Sequence, residues 1–139
     1  MKQISNNNNH RFDQTQNKDK YTVAIIFGGC STEYEVSLQS ASAVLEHINK
    51  KKYNTIMIGI TKEGNWLYYN GSLDKIRADI WHQGASCVPA IISPSRDVHG
   101  IQLLYPDHTE TIRVNAIFPV LHGKNGEDGT VQGLIELSG

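Results

Sequence analysis

The sequence predicts an α/β domain of Rossmann-like type, three layers built on a mainly parallel sheet with a β-hairpin elaboration. Three observations carry this. The apolar runs Thr22–Phe27, Thr55–Ile60 and Val114–Leu121 are short and rich in β-branched residues, so they read as buried strands. Between the first two, Ala41, Val44, Leu45 and Ile48 recur at i, i+3, i+4 and i+7, the apolar stripe of a helix. The first and third runs each end in a glycine-rich loop that leads into a helix start. A strand–helix–strand unit crosses to a parallel neighbour, so the three runs should lie side by side with the first in the middle.

The 139 residues suit one domain, and a 39% hydrophobic content supports one ordinary core. The net charge of −1 provides no concentrated basic patch, which argues against nucleic acid or an anionic membrane surface as partner. No apolar run approaches the ~20 residues of a membrane span, and the start of the chain has no apolar signal segment. A cytoplasmic protein is therefore expected. Cys30 and Cys87 form no disulfide framework and read as reduced thiols, with Cys30 a small filler in its loop.

Residues 1–20 are polar, with an Asn6–Asn9 run, and are expected to be disordered; the domain proper is 21–139. The first strand, about 22–27, stops at Gly28-Gly29. Glycines there permit positive φ and the close approach of another group. Thr32 and Glu35 have capping-box spacing for the next helix, and Ser37 is an equally suitable cap. Backbone N–H groups at a helix start favour an anion, whereas Glu33 and Glu35 favour a cation. A site for a molecule bearing both charges, such as an amino acid, follows. The loop is neither the dinucleotide fingerprint nor a phosphate-binding P-loop, because the third glycine and the Gly-Lys-Ser/Thr sequence are missing.

The helix, about 36–49, closes at Lys50-Lys51-Lys52, cations that suit its carboxyl end. After the 55–60 strand, Gly64-Asn65 leads into a short strand at Trp66–Tyr69. Ser72 is placed to cap a short helix running through Ile76 to about Ile80, and Trp81 reads as core. Cys87–Ile92 is extended, with Pro89 arguing for an edge position. Residues 100–105 and 110–114 flank a turn and predict a β-hairpin. Asp107, His108 and Glu110 read as a solvated turn and not a metal site, since no fourth ligand has suitable spacing. The third buried run ends in His122-Gly123-Lys124-Asn125-Gly126-Glu127-Asp128-Gly129. Val131, Leu134 and Ile135 then begin a helix capped by Asp128 or Thr130. Ligands of open parallel sheets bind beyond the carboxyl ends of the strands, and both glycine loops leave such ends.

Those two loops carry a resemblance. Gly28-Gly29-Cys30-Ser31-Thr32-Glu33-Tyr34-Glu35-Val36-Ser37 resembles the first signature of D-alanine–D-alanine ligases. Leu121 to Gly133, including His122-Gly123-Lys124-Asn125-Gly126-Glu127-Asp128-Gly129, resembles their second. From Tyr21 to Gly139 the text is similar in particular to the VanG-type D-alanine–D-serine ligases of vancomycin-resistance clusters. The resemblance implies an enzyme that makes a D-Ala-D-X dipeptide for peptidoglycan. ATP, with Mg2+, phosphorylates the carboxylate of a first D-alanine, and the amine of the second amino acid attacks the acyl phosphate. It implies that Glu33 holds the ammonium of the first D-alanine and that His122 lines the site. Gly28, Gly29 and Ser31 join them as expected substrate-binding residues, with Glu35, Ser37, Gly123, Glu127 and Asp128 in support.

The family continues into two ATP-grasp domains past the point corresponding to Gly139. Its nucleotide-binding lysines, magnesium carboxylates and the arginine for the tetrahedral intermediate belong there. Residues 1–139 alone are therefore expected to hold no catalytic residue, to bind no ATP, Mg2+ or other metal, and to be inactive. The resemblance also implies a homodimer. Two readings of other classes stay open: a stand-alone Rossmann-type module for a small anion, and a dimerisation domain. Whether the second substrate is D-alanine, D-serine or D-lactate is left open by these residues.

Overall fold

The computed structural model describes residues 20–123 and 129–139. In order the elements are β1 (Tyr21–Gly28), α1 (Tyr34–His47), β2 (Tyr53–Ile60), β3 (Trp66–Tyr69), α2 (Leu73–Arg77), β4 (Cys87–Ile92), β5 (Gly100–Leu104), β6 (Thr109–Arg113), β7 (Ala116–Pro119) and α3 (Thr130–Leu137). Among the described residues the strands form one sheet in the order β6-β5-β4-β3-β2-β1-β7. β1 lies between β2 and β7 and is parallel to both, as the three apolar runs predicted. The third run, however, is not a buried strand: β7 spans only Ala116–Pro119, forms the edge of the sheet and leaves Phe118 exposed. The pairings from β2 out to β6 are antiparallel, so the parallel ladder is confined to the end that carries the glycine loops.

β1 reads as an unbroken apolar run because both of its faces are covered. Val23, Ile25 and Phe27 pack on one side with Tyr34, Leu38, Ala41 and Leu45 of α1 and with Ile76 and Trp81. Ala24 and Ile26 point the other way, into a cluster with Ile56, Ile58, Leu103 and Ile112, against which Leu134 and Ile135 of α3 pack. This gives three layers: α1 and α2, the sheet, and α3. Trp81 is 1% exposed and stands edge-on to Phe27, with ring centroids 4.9 Å apart. It is core, as expected.

Several boundaries differ from the sequence reading. α1 starts at Tyr34, with Glu33 at the N-cap and no side-chain cap bond. The expected Thr32–Glu35 capping box does not form, and Ser37 lies inside the helix, not at its cap. α2 stops at Arg77, not Ile80, because Asp79 turns into the left-handed region at φ 56°. Ser72 holds the N-cap position of α2 without a side-chain cap bond. Pro89 is not on an edge strand. β4 lies between β3 and β5, but pairs with β3 through Cys87–Pro89 and with β5 through Ala90–Ile92. Each flank is bonded over half its length, and that stagger accommodates a residue without an N–H. The predicted hairpin is present as β5–β6, closed by the Tyr105 N–H donating to the His108 carbonyl at 2.9 Å. The expected tail of residues 1–20 lies, apart from Lys20, outside the described residues.

Candidate functional site

The two glycine loops meet at the carboxyl ends of β1 and β7. At Gly28 the chain must turn under the end of β2. Its φ is +90°, and a Cβ there would stand 2.1 Å from the Ile60 carbonyl oxygen, so glycine is the residue that fits. Gly29 follows at φ +107° and donates its N–H to the Ile60 carbonyl at 2.8 Å. The turn is thereby tied to β2 before α1 begins.

Two serines then tie the first loop to the second. The Ser37 hydroxyl, fully buried in α1, accepts the Gly28 N–H at 2.8 Å and donates to the Val120 carbonyl. The Ser31 hydroxyl donates to the His122 carbonyl at 2.8 Å and accepts the Glu33 N–H at 2.9 Å. Each hydroxyl has one hydrogen to give, and both give it to the backbone of the second loop. Ser31, expected among the substrate-binding residues, thus spends its hydrogen on joining the loops. Gly123 packs against the same group. A Cβ there would lie 2.8 Å from the Ser31 oxygen and 3.7 Å from a Glu33 carboxylate oxygen.

A cavity of about 280 Å³ opens beside these ties. Gly28, Gly29 and Cys30 line it from the first loop, Ile60, Gly64 and Trp66 from β2, β3 and the turn between them, and Leu121 and His122 from the chain beyond β7. Thr130, Val131 and Leu134 of α3 close it. The structure therefore brings Gly28, Gly29 and His122 to the cavity wall, while Ser31, Glu33 and Gly123 gather at the junction of the two loops, outside its lining. The contributions of Trp66, Gly64 and α3 were missed from the sequence. Gly64-Asn65 marked a turn there, but nothing in the pattern showed that it would fold back against Cys30. Glu127 and Asp128, and with them the expected cap at Asp128, lie outside the described residues. Thr130 is the first residue of α3, and Gly129 holds its N-cap position at φ 86°.

The two acids of the first loop part company. Glu35 pairs with Lys62 at 2.9 Å, and that bond holds its carboxyl below the usual range. Both side chains are solvated, so the pair contributes little to stability. The Glu33 carboxylate stands instead beside Gly123. Between them Tyr34 turns inward. Its hydroxyl donates to Asp79 at 2.6 Å and accepts from the Trp81 indole N–H at 3.0 Å. Burial, then the Asp79 carboxylate, raises the phenol's pKa, so it stays a donor at any ordinary pH.

Elsewhere, burial pushes the Cys87 thiol up to about 11, while Cys30 is exposed. At the tip of the hairpin, His108 contacts Asp107 at 2.7 Å and Glu110 at 3.1 Å and stacks on Tyr105. Among the described residues no group of three histidine, cysteine or acidic side chains is arranged to hold a metal ion, and no helix is long and apolar enough to cross a membrane.

Known proteins share the sequence and the fold of this domain. The family model described as "D-ala D-ala ligase N-terminus" matches residues 22–139. A D-alanine–D-alanine ligase of Caldicellulosiruptor bescii is 45% identical over 120 residues, covering 86% of this chain and 32% of the relative. The vancomycin B-type resistance protein VanB of Enterococcus faecalis is 48% identical over 121 residues, covering 87% of this chain and 33% of that protein. Among solved structures, the VanG D-Ala:D-Ser ligase of Enterococcus faecalis superposes with a TM-score of 0.81 at 50% identity, covering 86% of this chain and 34% of that one. The chain thus spans about a third of the length of these relatives. On the family match, the identities and the shared fold, this chain belongs to the D-alanine–D-alanine ligase family, as its N-terminal domain.

Proposed function

We propose that this domain forms part of the first-substrate site of an ATP-dependent D-Ala-D-X ligase that makes a dipeptide for cytoplasmic peptidoglycan precursors, in a vancomycin-resistance setting. The observation that carries the reading is the joined rim: Glu33, Gly123 and His122 gathered across two loops and beside a cavity of about 280 Å³. A D-alanine zwitterion needs an acceptor for its ammonium and donors for its carboxylate. The Glu33 carboxylate can supply the first by a charge-assisted hydrogen bond. Backbone N–H groups at glycine turns can favour the second and the oxygens of an acyl phosphate. Similarity to the VanG D-Ala:D-Ser ligase supports D-serine as the second substrate. A homodimer formed partly through this domain belongs to the same proposal.

ATP and Mg2+ would supply the activating phosphoryl transfer. The residues described here do not fit that task, lacking both a metal cluster and a Gly-Lys-Ser/Thr phosphate loop. We assign nucleotide and metal to the rest of a full-length ligase. Two experiments test the proposal. In the full-length ligase, phosphate release from ATP should require D-alanine and accompany a D-Ala-D-X product. ATP turnover indifferent to D-alanine would overturn it. Titration of residues 1–139 with ATP in a calorimeter should show no saturable heat. Micromolar binding lost on changing Gly29 would favour a stand-alone anion-binding module instead.

A further inference from the structure

We propose that Tyr34 and Asp79 are positioning residues for Glu33: their hydrogen bond sets where the Glu33 carboxylate stands to receive the ammonium of the first amino acid. The inference rests on the reading of Glu33 given above. Glu33 is exposed, at the junction between the glycine turn and α1, with φ −101° and ψ 23°. Its N–H is held by the Ser31 hydroxyl, and its carbonyl accepts the Ser37 N–H at 3.1 Å. The third restraint is the next side chain. Tyr34 is 1% exposed and reaches across to Asp79, 45 residues along the chain.

The direction of that bond is determined. The Trp81 indole N–H can only donate, and it donates to the Tyr34 oxygen at 3.0 Å. The phenol hydrogen is then left for the Asp79 carboxylate. Asp79 is itself placed with some effort, at φ 56° just beyond α2, a conformation a non-glycine residue keeps only when its surroundings hold it. His82 lies 3.4 Å from the same carboxylate, and Lys62 sits 5.1 Å over the Tyr34 ring while pairing with Glu35. The start of α1 is thus fixed from the far side of the layer, one residue from the acid at the rim. A slack Tyr34 would let Glu33 drift while leaving the ring in the core.

Tyr34→Phe keeps the ring and removes the hydroxyl. In the full-length ligase we expect it to raise the apparent KM for first-site D-alanine about three- to tenfold, the worth of one hydrogen bond, with the KM for ATP and kcat changing less than about twofold. Asp79→Ala should reproduce that rise. Asp79→Asn, which restores an acceptor oxygen and tolerates left-handed backbone, should remove most of it. The decisive measurement is the same substitution in a Glu33→Gln background, where Tyr34→Phe should add nothing further to the D-alanine KM. An equal factor in both backgrounds, or a fall in melting temperature with an unchanged D-alanine KM, overturns the inference and leaves the site reading standing. If Glu33→Gln alone leaves kcat/KM for first-site D-alanine unchanged, the site reading fails and takes the inference with it.

Discussion

The hydroxyl of Ser31 donates a hydrogen bond to the backbone carbonyl of His122 at 2.8 Å, joining loops that lie 91 residues apart in the chain. The bond converts two separate strand ends into one rim, because the same oxygen also receives the Glu33 N–H. Ser31→Ala removes both contacts without adding bulk. We expect it to cost about 1 kcal/mol, the net worth of a typical hydrogen bond plus part of the cost of the two groups left behind. Chemical denaturation of residues 1–139 reads this directly. An unchanged midpoint would mean that water replaces the serine at no cost and that the loops are held together elsewhere.

Glycine substitutions at two positions should act with opposite sign. A methyl group at Gly28 meets the Ile60 carbonyl oxygen at 2.1 Å and imposes positive φ on alanine. Backbone strain there costs on the order of 1–3 kcal/mol before the clash is counted, so Gly28→Ala should destabilise by about 4 kcal/mol or more. Gly133 lies inside α3 with open space where its Cβ would be. Gly133→Ala should stabilise by about 0.5–1 kcal/mol through helix propensity. Melting curves of the two variants against the parent chain check both signs.

This contrast shows what the residue pattern could disclose. β1 and β2 were legible because covered strands become nearly continuous apolar runs, and Gly28-Gly29 marked the turn. The run at β7 has the same composition, yet β7 is an edge strand with Phe118 exposed, because apolar composition alone does not say which side of the sheet is left open. The capping box was misread because its logic is local, whereas Glu35 finds Lys62 across a turn of the β2–β3 connection. Ser31 and Ser37 gave no sign of their work, since their partners are the carbonyls of His122 and Val120, and a carbonyl has no residue type. The reach of Tyr34 to Asp79 was hidden for a related reason: it depends on α2 ending early, at a left-handed aspartate that no spacing announces.

The two thiols should react in a fixed order. Cys30 is exposed beside the site cavity, whereas Cys87 is half-buried, donates to the Trp81 carbonyl at 3.3 Å and is pushed up to about 11 by burial. Only the thiolate attacks a disulfide reagent, so at pH 7.5 the Cys87 thiol is almost wholly unreactive. An aromatic disulfide reagent should label one thiol in the folded domain and two after denaturation. Peptide mapping should place the fast label on Cys30. Fast labelling at Cys87 would mean that the region around Trp81 opens far more readily than its packing implies.

The hairpin tip should respond to pH. Asp107 first, then Glu110, raises the pKa of His108 above that of a free histidine. Because the folded value is the higher one, the favourable contribution is fully present below the ordinary histidine pKa. It is lost as pH rises through the folded value. His108 and Asp107 are solvated and Glu110 is partly covered, so the effect on the whole domain should be small and should shrink with salt. A proton NMR titration of the His108 ring should give a midpoint above ~6.5, and Asp107→Asn should lower it. A midpoint at or below the free value would remove the ion pairs from the account of the turn.

The sharpest test separates Glu33 from Glu35. They are two residues apart, yet one stands by Gly123 at the rim and the other is paired with Lys62 outside it. Glu33→Gln keeps the shape and removes the charge that would meet an ammonium. In the full-length ligase it should lower kcat/KM for first-site D-alanine by roughly tenfold to a hundredfold, the worth of one charged hydrogen bond. Its melting temperature should hold, because the Glu33 backbone N–H and carbonyl keep their bonds to Ser31 and Ser37. Glu35→Gln removes only a solvated ion pair, since no cap depends on it. It should leave the kinetics intact and cause a small loss of stability that fades in high salt. Steady-state kinetics and melting of both variants at low and high salt decide the matter. If Glu35→Gln loses first-site D-alanine and Glu33→Gln does not, Lys62 is no more than a resting partner, and the ammonium is met on the other side of Tyr34.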